Sequence, residues 1–185
     1  MDIRLDGKVA LITGSSRGIG LSTARGLAQL GAEIILNGRD LNSLQEAKGL
    51  IEAEKAGSKV SIAAEDVASA RGCEAVIKSF PEVDVLVNNM AIFQIKPFFD
   101  LSDDDWTAMF EANVMSGIRL TRHYLNRMVE AKDWGRVVFV WRETFCFSSG
   151  GKDFFHSLCI CGPGQNRIHG DISPLSILCS PPCDR

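Results

Sequence analysis

Residues 8–20 constrain the fold more than any other stretch. Lys8 to Thr13 is a short apolar run, and it leads through Gly14-Ser15-Ser16-Arg17-Gly18-Ile19-Gly20 into a helical pattern. In that pattern Ile19, Thr23, Leu27 and Leu30 lie near one stripe, and Gly31 stops it. A strand that must become a helix within so few residues needs glycine where φ turns positive or where a Cβ would block an approaching group. The opening helix offers unpaired N–H groups and the positive end of its dipole. We read the turn as a cradle for a pyrophosphate. The plainer alternative is a strand–helix turn with no ligand.

The same alternation continues. Strands are expected at Glu33 to Asn37, Lys59 to Ala64, Asp84 to Asn88 and Arg136 to Val140, and helices at Leu41 to Ala56 and Ser69 to Phe80. Ser102 to Ala131 reads as one long helix, opened by Ser102 and Asp105 in the manner of a capping box. Short apolar strands alternating with helices imply an α/β fold: a doubly wound parallel sheet with right-handed crossovers. The chain has 185 residues, which is room for one such domain.

The end of the second strand bears on the ligand. A dinucleotide-binding sheet often carries an acid there for the adenosine ribose, whereas an arginine accommodates a 2′-phosphate. Here Leu36-Asn37-Gly38 runs directly into Arg39, with no carboxylate at the strand tip. Arg17, inside the glycine turn, would face the same phosphate. The pair favours NADP(H) over NAD(H); two solvated arginines are the alternative, and the adjacent Asp40 is expected to neutralise part of Arg39. Asp66-Val67 and Asn88-Asn89 follow the third and fourth strands. Asn side chains there can tie neighbouring loops together through backbone hydrogen bonds.

Taken together, residues 1–140 resemble the short-chain dehydrogenase/reductase superfamily. The motifs are Thr13-Gly14-x-x-x-Gly18-Ile19-Gly20, Asp66-Val67, Asn88-Asn89 and Asn113-Val114. The resemblance implies a Rossmann-like domain in which Gly14, Ser15, Ser16, Arg17, Gly18, Ile19 and Gly20 hold a pyrophosphate. Arg17 and Arg39 would take the 2′-phosphate, Asp66 and Val67 the adenine, and Asn89 with Ala91 the nicotinamide-side ribose. It places Asn113 at the family's fourth catalytic position, supporting a proton-relay water, and the long helix 102–131 at a homodimer interface. The general look is similar to bacterial 3-oxoacyl-carrier-protein reductases and sugar dehydrogenases. Where the family usually has Asn-Asn-Ala-Gly, this chain has Asn88-Asn89-Met90-Ala91, which is expected to add bulk beside the nicotinamide.

The resemblance stops near residue 140. The family's proton donor is a Tyr with a Lys four residues later, and a Ser after the fifth strand orients the carbonyl. The only Tyr of the chain is Tyr124, within the long helix, with Met128 rather than Lys four residues on. It reads as a packing or interface residue. Residues 141–185 contain no Tyr, no Ala and no Val, only Lys152 as lysine, and five of the six cysteines. Ser148 and Ser149 come late for a carbonyl-orienting Ser. This stretch is expected to be an irregular or disordered appendage to the 1–140 domain. The composition change suggests a reading-frame shift near residue 141 and a shortened, inactive family member; a genuine variant tail and a sequencing error are the alternatives. A non-enzymatic dinucleotide-binding or partner-binding protein is the second functional reading.

Other classes find little support. The net charge is −3 with acids and bases interspersed, so no basic field suits nucleic acid or an anionic membrane. No apolar run is long enough for a membrane span. The charged start, Met1-Asp2-Ile3-Arg4-Leu5-Asp6, lacks a signal-like apolar region, so a cytoplasmic location is expected. Cys159-x-Cys161, His169 and Cys179-x-x-x-Cys183 invite a zinc reading, but one pair is too close and Pro163, Gly164 and Pro174 interrupt the rest. No metal site is expected.

Overall fold

The computed structural model describes residues 4–94, 96–130, 134–143 and 154–161. Within them the elements run β1 (Val9–Ile12), α1 (Gly18–Gln29), β2 (Glu33–Gly38), α2 (Leu41–Glu54), β3 (Val60–Ala64), α3 (Ala70–Ser79) and β4 (Val85–Asn88). A 3₁₀ turn (Phe98–Asp100), α4 (Asp103–Phe110), a π-helical turn (Glu111–Met115), α5 (Ser116–Glu130), β5 (Arg136–Glu143) and β6 (Phe154–Cys161) follow. The sheet order is β3-β2-β1-β4-β5-β6. The first five strands are parallel, in register Leu11 with Ile35, Leu11 with Leu86, and Leu86 with Val137. This is the doubly wound Rossmann-like sheet that the alternation of elements implies.

Both faces of the sheet are covered, so side chains alternate between two cores. Ala10, Ile12, Ile34, Leu36, Val85 and Val87 pack with Ala24, Ala28, Leu44 and Ile51 of α1 and α2. Leu11, Ile35, Leu86 and Val137 pack with Cys73, Val76, Leu120, Tyr124 and Met128 of α3 and α5. Side chains satisfy several of the helix termini. Asp40 caps α2 through Ser43 N (3.0 Å) and Ser69 caps α3 through Gly72 N (3.0 Å). Ser102 and Asp105 form the expected capping box on α4. Lys55 Nζ donates to the C-terminal carbonyls of Ala28 (2.6 Å) and Gln29 (3.2 Å) on α1.

Two features differ from the sequence reading. Residues 103–130 form a continuous run, but regular α-helical bonding is interrupted at Glu111–Met115, where Ser116 N–H reaches five residues back to Glu111 O. Apolar spacing does not register one inserted residue. Within the stretch read as irregular, Phe154–Cys161 forms a strand antiparallel to β5, with Phe139 opposite Leu158. Ala131, at the expected end of the long helix, and Ser148, Ser149 and Lys152 lie outside the described residues.

Candidate functional site

In a parallel sheet of this kind, ligands bind outside the carboxyl ends of the strands where the strand order reverses. Here that point lies between β1 and β4, and the glycine turn occupies it. Gly14 (φ 62°) and Gly18 (φ 58°) adopt left-handed backbone, which glycine reaches without strain. Gly20 has the other reason for being glycine. A Cβ on it would run into Gly14 O and lie 2.6 Å from Asn89 Nδ2.

The first turn of α1 is bare. Its N-cap residue, Arg17, is extended (φ −161°, ψ 175°), contributes no side-chain cap, and no acid lies in the first turn. Three other helices of the fold are capped by Asp40, Ser69 or Ser102. The N–H groups at the head of α1 are thus left for a group from outside, and the helix dipole favours an anion there. Arg17 and Arg39 are exposed at this end. Neither makes an ion pair among the described residues, and Asp40, expected to offset Arg39, turns its carboxylate to cap α2.

Beneath the turn, polar side chains lock it to the strands. Thr13 Oγ1 accepts from Asn89 N and Met90 N, both at 2.9 Å, and Asn89 Nδ2 donates to Thr13 O (2.9 Å) and Gly14 O (3.0 Å). Ser15 is fully buried; its hydroxyl donates to Ile12 O (2.8 Å) and accepts from Asn37 N (2.9 Å). Ser15 therefore faces inward and shapes the turn from below. Asn37, also buried, donates to Ala63 O (2.9 Å) and Glu65 O (3.0 Å), holding the tips of β2 and β3 together. The sequence reading used Asn37 only as the absence of an acid. A lone amide directly after the apolar run Ile34–Leu36 was the available signal of a buried brace.

Asp66 and Val67 lie at the end of β3. Asp66 Oδ1 accepts from Ala68 N (3.1 Å), and Val67 is buried. Beyond β4, Ala91 is exposed, whereas Met90 packs against the core beneath α3 and α5. The expected extra bulk is thus drawn partly into the core. Asn113, inside the π turn, exchanges two hydrogen bonds with the backbone of Ile92: Ile92 N to Oδ1 at 2.7 Å and Nδ2 to Ile92 O at 2.9 Å. The structure therefore gathers the β1, β2, β3 and β4 loop residues at one end of the sheet and ties Asn113 to the β4 loop.

Tyr124 is not part of this end. It is 1% exposed, its hydroxyl donates to Phe80 O (2.7 Å) ahead of β4, and burial pushes its pKa above the usual phenol range. Such a phenol is a packing group. A cleft of about 300 Å³ also lies away from the turn, lined by Val9, Glu33, Lys59, Phe80 and Glu82 among others. No helix among the described residues is long and apolar enough to cross a membrane, and no group of three or more His, Cys, Asp or Glu residues among them is arranged to hold a metal.

Comparison with known proteins shows the family and the fold. Residues 8–143 match the family model described as short chain dehydrogenase. The chain is 43% identical over 143 residues to the uncharacterized oxidoreductase YvaG of Bacillus subtilis (strain 168), covering 77% of this chain and 54% of that protein. It is similar in structure to L-sorbose reductase from Gluconobacter frateurii complexed with NADPH and L-sorbose (TM-score 0.65, 39% identity, 71% of this chain and 51% of that one). It is likewise similar to a 3-oxoacyl (acyl-carrier-protein) reductase from Agrobacterium tumefaciens C58 with NADP bound (TM-score 0.67, 33% identity, 74% and 53%). The chain spans about half the length of the curated relatives it matches.

Proposed function

The chain belongs to the short chain dehydrogenase family of oxidoreductases, and from that premise we propose that it binds NADP(H) in preference to NAD(H). The observation that carries this is the bare, acid-free head of α1 flanked by two exposed arginines without ion pairs among the described residues. The glycine turn fits a pyrophosphate because the head of α1 is uncapped and acid-free and the space around Gly18 is open. Backbone N–H groups of the turn would bond the pyrophosphate, and Arg17 and Arg39 the 2′-phosphate. Asp66 and Val67 would border the adenine, and Asn89 and Ala91 the nicotinamide-side ribose. Ser15 would contribute through backbone and turn shape, its hydroxyl being engaged below. When bound, the nicotinamide supplies or accepts hydride in carbonyl reduction or alcohol oxidation.

Such chemistry also needs a positioned acid–base group. Tyr124 is buried at the other end of the sheet, and residues 141–185 hold no Tyr. We therefore expect these 185 residues to bind dinucleotide without turnover. Support for a frame shift near residue 141 comes from the coincident loss of Ala and Val and of the family pattern. β6, paired along the whole of β5, favours the second reading, an evolved tail on a binding protein. Reading the coding DNA beyond codon 140 in the other frames separates the two. A Tyr-x-x-x-Lys segment there supports the shift; its absence from both frames supports the evolved tail. The exposed Trp106, Phe110 and Ile118 on α4 and α5 support homodimerisation through this helix, which sedimentation of the purified chain tests.

A further inference from the structure

In a regular α-helix each N–H donates to the carbonyl four residues back. Ser116 N–H instead serves Glu111 O, which takes it from its ordinary partner, Ala112 O. The side chain of the same residue fills the place: Ser116 Oγ donates to Ala112 O at 2.5 Å, and Ser116 is 5% exposed. A buried carbonyl left without a donor is costly, so this hydroxyl stabilises the π turn specifically. An ion pair from Arg119 Nη2 to Glu111 Oε2 (2.6 Å) braces the outside of the same segment.

The π turn sits between two attachments to the β4 end. On one side Asn113 is bonded to Ile92. On the other, a Cβ on Gly117 would lie 2.6 Å from Phe139 Cε1 and 3.5 Å from Asn88 Cγ, so only glycine lets the helix seat so closely there. One turn later Asn88 Nδ2 donates to Thr121 Oγ1 (3.1 Å). With α5 seated by Gly117 and Thr121, the extra residue of the π turn sets the direction of Asn113. Relaxation to regular helix would rotate the preceding segment by about 100°, one residue of an α-helix, and take Asn113 off Ile92.

We propose that Ser116 is a positioning residue: its hydroxyl closes the π turn, the turn holds Asn113 against Ile92, and the loop from Asn89 to Ile92 is thereby held beside the glycine turn. The functional part of this assignment rests on reading that loop as the nicotinamide-side wall of the dinucleotide site. Amide hydrogen exchange of the whole chain tests it. Ser116→Ala is expected to speed exchange at Ile92 N–H roughly tenfold, the equivalent of one ordinary hydrogen bond, while Leu86 N–H in the central sheet stays within about twofold. Ser116→Thr, which keeps the hydroxyl, is expected to restore Ile92 protection. If the alanine variant does not fold, Ser116→Cys, a weak donor, is measured instead with the same expectation. Ile92 exchange that is unchanged, or that rises in step with Leu86, overturns the proposal. NADPH titration of the same samples reports separately on the dinucleotide site.

Discussion

Asn89 and Thr13 are bonded to each other twice across the carboxyl ends of β4 and β1: Asn89 N to Thr13 Oγ1 at 2.9 Å and Asn89 Nδ2 to Thr13 O at 2.9 Å. The pair joins the first and fourth loops at the reversal of strand order, so the geometry of the glycine turn depends on β4 as well as β1. Replacing Thr13 by Val keeps the shape and removes the acceptor for Asn89 N and Met90 N. Leaving such groups unpaired costs about 1–3 kcal/mol. Urea unfolding of Thr13→Val is expected to show a loss in that range; an unchanged midpoint and slope would mean the two loops are held by something else.

Gly20→Ala tests the cradle. The added methyl has no room between Gly14 O and Asn89 Nδ2, so the turn must open. NADPH affinity is expected to fall at least about tenfold, equivalent to one charge-assisted hydrogen bond or more. Gly26→Ala, in the same helix with open space around it, serves as control and is expected to retain binding. Equal affinity in the two variants would remove Gly20 from the site.

Tyr124→Phe removes the hydroxyl that serves Phe80 O. A loss of about 1 kcal/mol of stability is expected, with NADPH affinity unchanged. A large loss of binding without a loss of stability would place Tyr124 in the site after all.

Cys73 links pH to stability. It is 1% exposed, and burial pushes its thiol up to about 11, from 9.0. The unfolded chain therefore ionises first as pH rises. The contribution of Cys73 is fully present below pH 9 and is lost as pH climbs towards 11. Unfolding free energies measured at pH 8 and pH 10.5 should thus fall more steeply in the native chain than in Cys73→Ala. Parallel slopes would contradict this.

Much of this architecture could be read from residue pattern alone, because buried parallel strands leave apolar runs and their connections leave glycine and capping residues. The Ser102–Asp105 capping box is an example, a local device written in local residues. What stayed hidden was direction. A serine in a glycine-rich turn reads the same whether it faces a ligand or, like Ser15, the strands beneath. The π turn at Glu111–Met115 was invisible to helical periodicity, and Asn113 was singled out through resemblance rather than through any geometric signal. β6 was obscured by the Cys, Gly and Pro content around it, although the partner strand, Arg136–Glu143, is the last of the apolar runs. The arginines were legible by position. That Asp40 is engaged in capping α2 needed the backbone.

The central claim is dinucleotide choice, and a paired titration tests it most directly. The 185-residue chain is titrated with NADPH and with NADH, following nicotinamide fluorescence, alongside Arg39→Ala. The charge-assisted bonds available from Arg17 and Arg39 are each worth about 1.5–3 kcal/mol, so NADPH is expected to bind at least about tenfold more tightly than NADH. Arg39→Ala removes one of the two bonds and is expected to cut that margin, Arg17 keeping the rest, while NADH affinity stays the same. Equal affinities for the two dinucleotides, or a preference that Arg39→Ala leaves undiminished, would contradict the account.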